Sequence, residues 1–95
     1  MNIKELFNKH SAEYLHFERV RNPLSTRPDL AAFMLLDKLL GYSDKDMLSS
    51  AGYDVVYLSG DVEELCKVLD EEDIITLQRC GVIYSSEYEC LYMFV

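Results

Sequence analysis

The chain has 95 residues, 49 % of them hydrophobic, and a formal net charge of −8. This length predicts one domain with one modest core, and the hydrophobic content excludes a disordered chain. The longest apolar run, residues 30–36, is far shorter than the ~20 residues of a membrane-spanning helix. The amphipathic N-terminus lacks the apolar core of a secretory signal, so we expect a cytoplasmic protein without a membrane contact.

The negative charge belongs to the C-terminal half. Residues 1–48 contain seven acids and seven bases, whereas residues 49–95 contain ten acids and only Lys67 and Arg79 as bases. This half lacks the basic footprint of a nucleic-acid-binding surface, so direct nucleic-acid binding is not expected of it.

Two helices are predicted in the first half. The first begins with the capping box of Asn2 and Glu5. The second begins at Thr26-Arg-Pro-Asp, runs to about Leu40 and ends at Gly41. Between them, residues 14–20 fit either a helix continuing from position 11 or a strand, and we favour the helix.

Two charged features of this half have alternative interpretations. Asp37, on a helix that is otherwise nearly all apolar, lies either at the solvent edge or buried beside an arginine. Arg19, Arg21 and Arg27 flank one loop and could hold an anion. We favour pairing of these arginines with carboxylates of the same chain, or exposure to water.

Three helices are predicted in the second half. A short one covers residues 43–50, and Asp61 caps the next, whose apolar face contains Leu65, Cys66 and Leu69. Asp70 caps the third, which has Arg79 in its last turn and Gly81 just past its end.

The strands are predicted from β-branched and aromatic runs. They cover about residues 54–58, 82–84 and 88–94, and the last two form a hairpin. The predicted fold is therefore α+β, with one domain over residues 1–95. A small three-stranded antiparallel or mixed sheet packs against four to five short helices.

The last strand is apolar on both faces. Alternation places Tyr88, Cys90, Tyr92 and Phe94 on one face, and Leu91, Met93 and Val95 on the other. Such a strand is buried on both sides, so either the N-terminal helices cover the second face or another chain does. We expect a protein partner here, with a homodimer as one form, and Tyr88, Tyr92 and Phe94 as candidate contacts.

The acids between Asp61 and Asp73 allow two interpretations. As caps and first-turn residues, they stabilise helix starts through the helix dipole. As a surface, they could copy the phosphates of a nucleic acid and block a protein that binds DNA or RNA. Glu63, Glu71 and Glu72 are the candidate contacts for that surface. We favour capping.

Neither metal nor catalytic chemistry is indicated. His10 and His16 are six residues apart, which does not place them on one helix face. Cys66, Cys80 and Cys90 are odd in number and lack a CxxC spacing, which predicts free thiols, with Cys66 and Cys90 buried. No cofactor, metal or catalytic residue is predicted, and a small enzyme ranks last among the functions considered.

Residues 27–40 and 79–91, RPDLAAFMLLDKLL and RCGVIYSSEYECL, resemble small uncharacterised proteins of bacteriophages, prophages and plasmids. The resemblance extends over most of the chain and implies a bacterial or viral cytoplasmic setting. It also implies an accessory protein that binds a host factor. The sequence thus predicts a non-enzymatic acidic protein that acts by protein–protein interaction, with an acidic nucleic-acid mimic as the alternative.

Overall fold

The described residues form four α-helices and a four-stranded antiparallel sheet, so the predicted α+β class is confirmed. The computed structural model describes residues 2–41, 48–58 and 62–94. The helices are α1 (Ile3–Lys9), α2 (Pro28–Leu40), α3 (Val62–Val68) and α4 (Glu71–Arg79). The strands are β1 (Leu48–Ala51), β2 (Val55–Leu58), β3 (Ile83–Ser85) and β4 (Cys90–Phe94). None of the described helices is long and apolar enough to cross a membrane.

The sheet has the strand order β1-β2-β4-β3. Val55 pairs with Phe94 and Tyr57 with Tyr92 across β2 and β4, while Ile83 pairs with Tyr92 across β3 and β4. The three predicted strands are therefore present, and the last two form the predicted hairpin. Tyr88, which was assigned to the last strand, lies instead in the turn of residues 86–89.

The fourth strand, β1, contradicts the predicted helix over residues 48–50. Leu48–Ala51 pairs with β2 through a tight turn, in which the Gly52 amide donates to the Val55 carbonyl at 2.7 Å. Pairing with an apolar neighbour outweighs the weak local helix signal of this segment. Residues 43–47 of the predicted helix lie outside the described residues.

Helix α1 begins as predicted, because the Asn2 side chain accepts a hydrogen bond from the Glu5 amide at 2.9 Å. The predicted continuation into residues 11–20 is wrong. Two short 3₁₀ turns, Ser11–Glu13 and Phe17–Arg19, replace it, separated by Leu15 in the left-handed region with φ of 60°. The Leu15 amide donates to the Gln78 carbonyl at 2.9 Å, so docking onto α4 decides this path.

Helix α2 has Pro28 in its first turn and Gly41 in the left-handed conformation at its end, as predicted. The Thr26 cap is not formed, because Arg27 occupies the N-cap position without a side-chain hydrogen bond. The helix is also less central than its apolarity suggested. It buries Ala31, Ala32 and Leu36, but Leu30 and Met34 on its outer side are 46 % and 42 % exposed.

The core lies between the helices and one face of the sheet. Leu58, Leu91 and Met93 point from the sheet into the helical layer, where Leu65 and Leu77 are fully buried. Residues of α1 join the same core: Ile3 and Phe7 are buried, and the Phe7 ring stacks on Tyr84 with centroids 6.1 Å apart. The N-terminal helix therefore covers the face that the other helices already cover. The described helices leave the opposite face of the sheet open.

Candidate functional site

Four aromatic side chains form a continuous cluster on the open face of the sheet, and we call them the aromatic face: Tyr57, Tyr88, Tyr92 and Phe94. Tyr57 lies at the centre of the cluster. Its ring centroid is 5.2 Å from that of Tyr88 and 6.0 Å from that of Tyr92. The Tyr92 ring in turn meets Phe94 edge-on at 5.8 Å. Three of the rings stand on β2 and β4, and Tyr88 reaches the cluster from the turn before β4.

The register of β4 explains why these rings face outward. Alternate residues Leu91 and Met93 are buried under the helices, so Tyr92 and Phe94 point to the other side. Phe94 is 54 % exposed and Tyr88 is 61 % exposed. Tyr57 and Tyr92 are half-buried, and their rings contact each other. The predicted contacts Tyr88, Tyr92 and Phe94 therefore lie together, with Tyr57 as the member that sequence reasoning missed.

The surroundings of Tyr57 favour the neutral form of its phenol. Partial burial raises the pKa of Tyr57, and the nearby groups of Tyr88, Cys90 and Glu87 raise it further. A neutral phenol offers one hydrogen-bond donor and an acceptor beside its apolar ring. The face can therefore combine apolar contact with directed hydrogen bonds.

Carboxylates flank the aromatic face, and none of its described strands and turns carries a cation. Asp54 precedes β2 at one end, and Glu87 and Glu89 lie on either side of Tyr88 at the other; all three are exposed. No lysine or arginine occurs on the four strands or in residues 52–54 and 86–89. Lys67 and Arg79, the bases of this half of the chain, belong to helices α3 and α4.

The predicted acidic contacts lie elsewhere, in the helical layer. Glu63 is exposed in the first turn of α3, and Glu71 and Glu72 are exposed in the first turn of α4. Glu71 is engaged by α1: its Oε2 lies 3.0 Å from Lys9 Nζ and 2.6 Å from His10 Nε2. These two partners, His10 foremost, lower the pKa of Glu71. The acids and the aromatic cluster therefore do not form one site.

The capping interpretation holds at α4. Asp70 Oδ1 accepts from the Asp73 amide at 2.8 Å, and Asp73 Oδ2 accepts from the Asp70 amide at 3.2 Å, which completes a capping box. Burial raises the pKa of Asp73, and the adjacent Asp70 charge adds to the effect. The other predicted cap, Asp61, lies outside the described residues.

The arginines mostly pair within the chain, as expected. Arg19 lies 3.2 Å from Glu13 and Arg27 lies 3.3 Å from Asp29. Glu13 also binds Arg79 at 2.5 Å, and Arg79, ahead of Arg19, lowers its pKa. Sequence reasoning missed Glu13 because its partner Arg79 is 66 residues away.

Two further expectations are decided by the helices. Asp37 is exposed, which matches the solvent-edge alternative. Cys66 is also exposed, so its predicted burial is wrong: α3 turns Leu65 and Leu69 into the core and Cys66 outward. Cys80 is buried and desolvation raises its pKa to about 11, whereas Cys90 is half-buried with a pKa raised by the same cause. All three thiols are free.

Comparison with known proteins adds no relative. No protein-family model matches the chain, and no curated protein or solved structure matches it significantly. The interpretation of function therefore depends on the geometry of the described residues.

Proposed function

We propose that the protein acts without catalysis, by binding another protein through its aromatic face. The observation that carries this proposal is the contiguity of four rings on the sheet face that the described helices leave open. Tyrosine and phenylalanine are enriched in the centres of protein interfaces, because they bury large areas and can also hydrogen bond. A contiguous exposed apolar patch is, for the same reason, a common mark of an interaction site.

The partner is a protein with a cationic surface. The face is bordered by Asp54, Glu87 and Glu89 and has no base on its strands, within a chain of net charge −8. An arginine can stack on a tyrosine ring and pair with a bordering carboxylate, two interactions that such a surface supplies side by side. Charge complementarity of this kind speeds association and selects against wrong partners. The resemblance to phage, prophage and plasmid proteins favours a host factor in the cytoplasm as this partner.

A second copy of the chain is the alternative occupant. Its own aromatic face would offer matching apolar area, but it would also bring a second set of carboxylates to the border. Like charges in contact oppose association most at low ionic strength. This is why we place a cationic partner ahead of the homodimer.

The proposal can be tested with defined cationic peptides. An arginine–glycine repeat peptide is titrated into the ¹⁵N-labelled chain, and a lysine–glycine peptide of equal charge serves as the reference. We expect amide shifts on β2 and β4, tighter binding of the arginine peptide, and a loss of about threefold or more in Tyr92→Ala, the range of a single cation–π contact. Tyr53→Ala is the matched control, because Tyr53 is fully exposed and outside the ring cluster.

Substitutions of carboxylates distinguish this proposal from the alternative in which the protein mimics a nucleic acid through its acidic helix starts. Glu87→Gln should weaken peptide binding, whereas Glu63→Gln and Glu72→Gln in the helical layer should not. Shifts confined to α3 and α4, lost in the Glu63→Gln and Glu72→Gln variants, would favour the mimic instead. Equal binding by wild type and Tyr92→Ala would rule out the aromatic face as the contact.

A further inference from the structure

A second concave site lies on the other side of the molecule from the aromatic face, where α1 approaches β3. Its volume is about 310 Å³, at the lower end of the range of small-molecule pockets. Lys4, Phe7 and Asn8 line it from one face of α1, since they are three and four residues apart. The remaining walls are contributed by the segment after α1, the end of α4 and the β3 hairpin. Those residues are Ser11, Tyr14, Gln78, Ile83, Tyr84 and Ser86.

The charge of this pocket is opposite to that of the chain. Among the described residues, no carboxylate lines it, and Lys4 is its single charged residue. Other cavities against the described residues contain acids: one is lined by Asp70 and Glu71, another by Asp73 together with Arg21 and Lys38, and a third by Glu72 together with Arg21 and Arg79. Glu89 lies outside the lining of this pocket, although its charge adds to the burial that raises the pKa of Tyr84. A lining of this composition favours an anionic ligand.

Most polar side chains of the pocket are without an interaction among the described residues. Among the described residues, the side chains of Lys4, Asn8, Ser11, Tyr14 and Ser86 make no hydrogen bond or ion pair with one another or with any other group. Lys9, by contrast, on the same helix, is paired with Glu71. An ammonium, an amide and several hydroxyls are therefore available to a ligand.

Gln78 adds a buried acceptor to the pocket lining. The residue is 3 % exposed, and its Nε2 donates to the Phe7 carbonyl at 2.8 Å, which sets the orientation of the amide. Its Oε1 is buried without a hydrogen-bond partner among the described residues. A buried acceptor of this kind is costly unless a donor reaches it. A ligand hydroxyl would supply that donor once the side chains that cover the oxygen shift to admit it.

The walls between these polar groups are flat and apolar. The rings of Phe7 and Tyr84 stack at 6.1 Å, and Ile83 continues the lining along β3. We propose that this pocket binds a small aromatic carboxylate that carries a hydroxyl group. Its carboxylate pairs with Lys4, its ring lies against Tyr84 at the edge of Phe7, and its hydroxyl points toward Gln78.

The probe for this proposal is 4-hydroxybenzoate, titrated into the ¹⁵N-labelled full chain. Two analogues isolate the polar contacts: 4-hydroxybenzamide lacks the charge, and benzoate lacks the hydroxyl. We expect saturable shifts at Asn8, Ser11 and Tyr84 and none at Tyr92, with each analogue bound several-fold more weakly. Lys4→Gln should weaken binding about two- to fivefold, the size of one exposed ion pair.

Lys67→Gln is the control, because Lys67 is an exposed helical lysine with no described partner and lies outside the pocket. It should bind 4-hydroxybenzoate as the wild type does. Absence of shifts up to about 10 mM, weaker than any useful site, would overturn the proposal. Equal binding of the neutral amide, or equal losses in Lys4→Gln and Lys67→Gln, would overturn the assignment of the charge to Lys4. Equal binding of benzoate would overturn the role given to the hydroxyl.

Discussion

Asp70 shows how a single side chain sets a helix start. Its carboxylate accepts from the Asp73 amide while Asp73 returns the contact, so Asp70→Ala removes an acceptor from the first turn of α4. We expect a loss of about 1 kcal/mol in the free energy of unfolding. Glu72→Gln, in the same turn but without a capping bond, should lose only a few tenths. Urea denaturation followed by circular dichroism measures both, and equal losses would contradict the capping role.

The thiols differ in reactivity because their exposure differs. Cys66 is exposed, whereas Cys80 is buried with a pKa of about 11. Since the thiolate is the reactive form, Cys66 should react rapidly with a disulfide reagent at pH 8, and Cys80 only after unfolding. Cys66→Ser should remove the fast phase of the reaction. A fast phase that instead disappears in Cys80→Ser would show that α3 is oriented differently.

At the scale of elements, residues 11–20 are held against α4 by Glu13. This carboxylate binds Arg79 at 2.5 Å and Arg19 at 3.2 Å, and Arg79 also donates to the Arg19 carbonyl at 3.1 Å. The cluster holds the pKa of Glu13 below its ordinary value of 4.5. Its stabilising contribution is therefore fully present above that value and is lost as the pH falls through the lower, folded-state pKa.

Glu13→Gln tests this linkage. The variant should be less stable than the wild type at pH 7, and the difference between them should shrink as the pH is lowered below the ordinary carboxyl range. Thermal denaturation at a series of pH values measures the difference, with Glu63→Gln, an exposed acid in the first turn of α3, as the control. A Glu13→Gln difference that stays constant down to pH 3 would exclude the ion pair as its cause.

The junction between α4 and β3 depends on Gly81. Its φ is +100°, and a Cβ there would lie 2.9 Å from the Leu15 side chain. Gly81→Ala should therefore cost about 1–2 kcal/mol, because it adds backbone strain and displaces Leu15. Gly41→Ala has a comparable φ of 69° but meets no atom within 4 Å, so it should cost less. Denaturation of the two variants, and of Gly81→Ala combined with Leu15→Ala, would separate strain from contact.

At the scale of the whole molecule, the open sheet face decides self-association. We expect light scattering to give mainly the monomer mass of 11.0 kDa at low ionic strength, since the carboxylates around the aromatic face repel a second copy. Added salt should favour any association that occurs. A stable dimer at low salt that Tyr92→Glu dissociates would instead assign the face to a second copy, the homodimer predicted from the sequence.

The sequence by itself determined the features that depend on neighbouring residues. The Asn2 and Asp70 caps, the proline and glycine that bound α2, and the β3–β4 hairpin all arise from hydrogen bonds or backbone preferences within a few positions. These interactions are local, so their residue types and spacing are sufficient to predict them.

Only the tertiary structure decided which surfaces are covered. The sequence shows that β4 is apolar on both of its faces. This pattern is compatible with helices that cover both faces of the sheet and with helices that cover only one. The placement of α1 in the same core as α3 and α4 leaves Tyr92 and Phe94 outside. Residues 48–50 and 11–20 were mispredicted for the same reason: pairing with β2 and docking onto α4 outweigh their weak local preferences. Such contacts join segments far apart in the chain, and no local pattern states which distant surface a segment will meet.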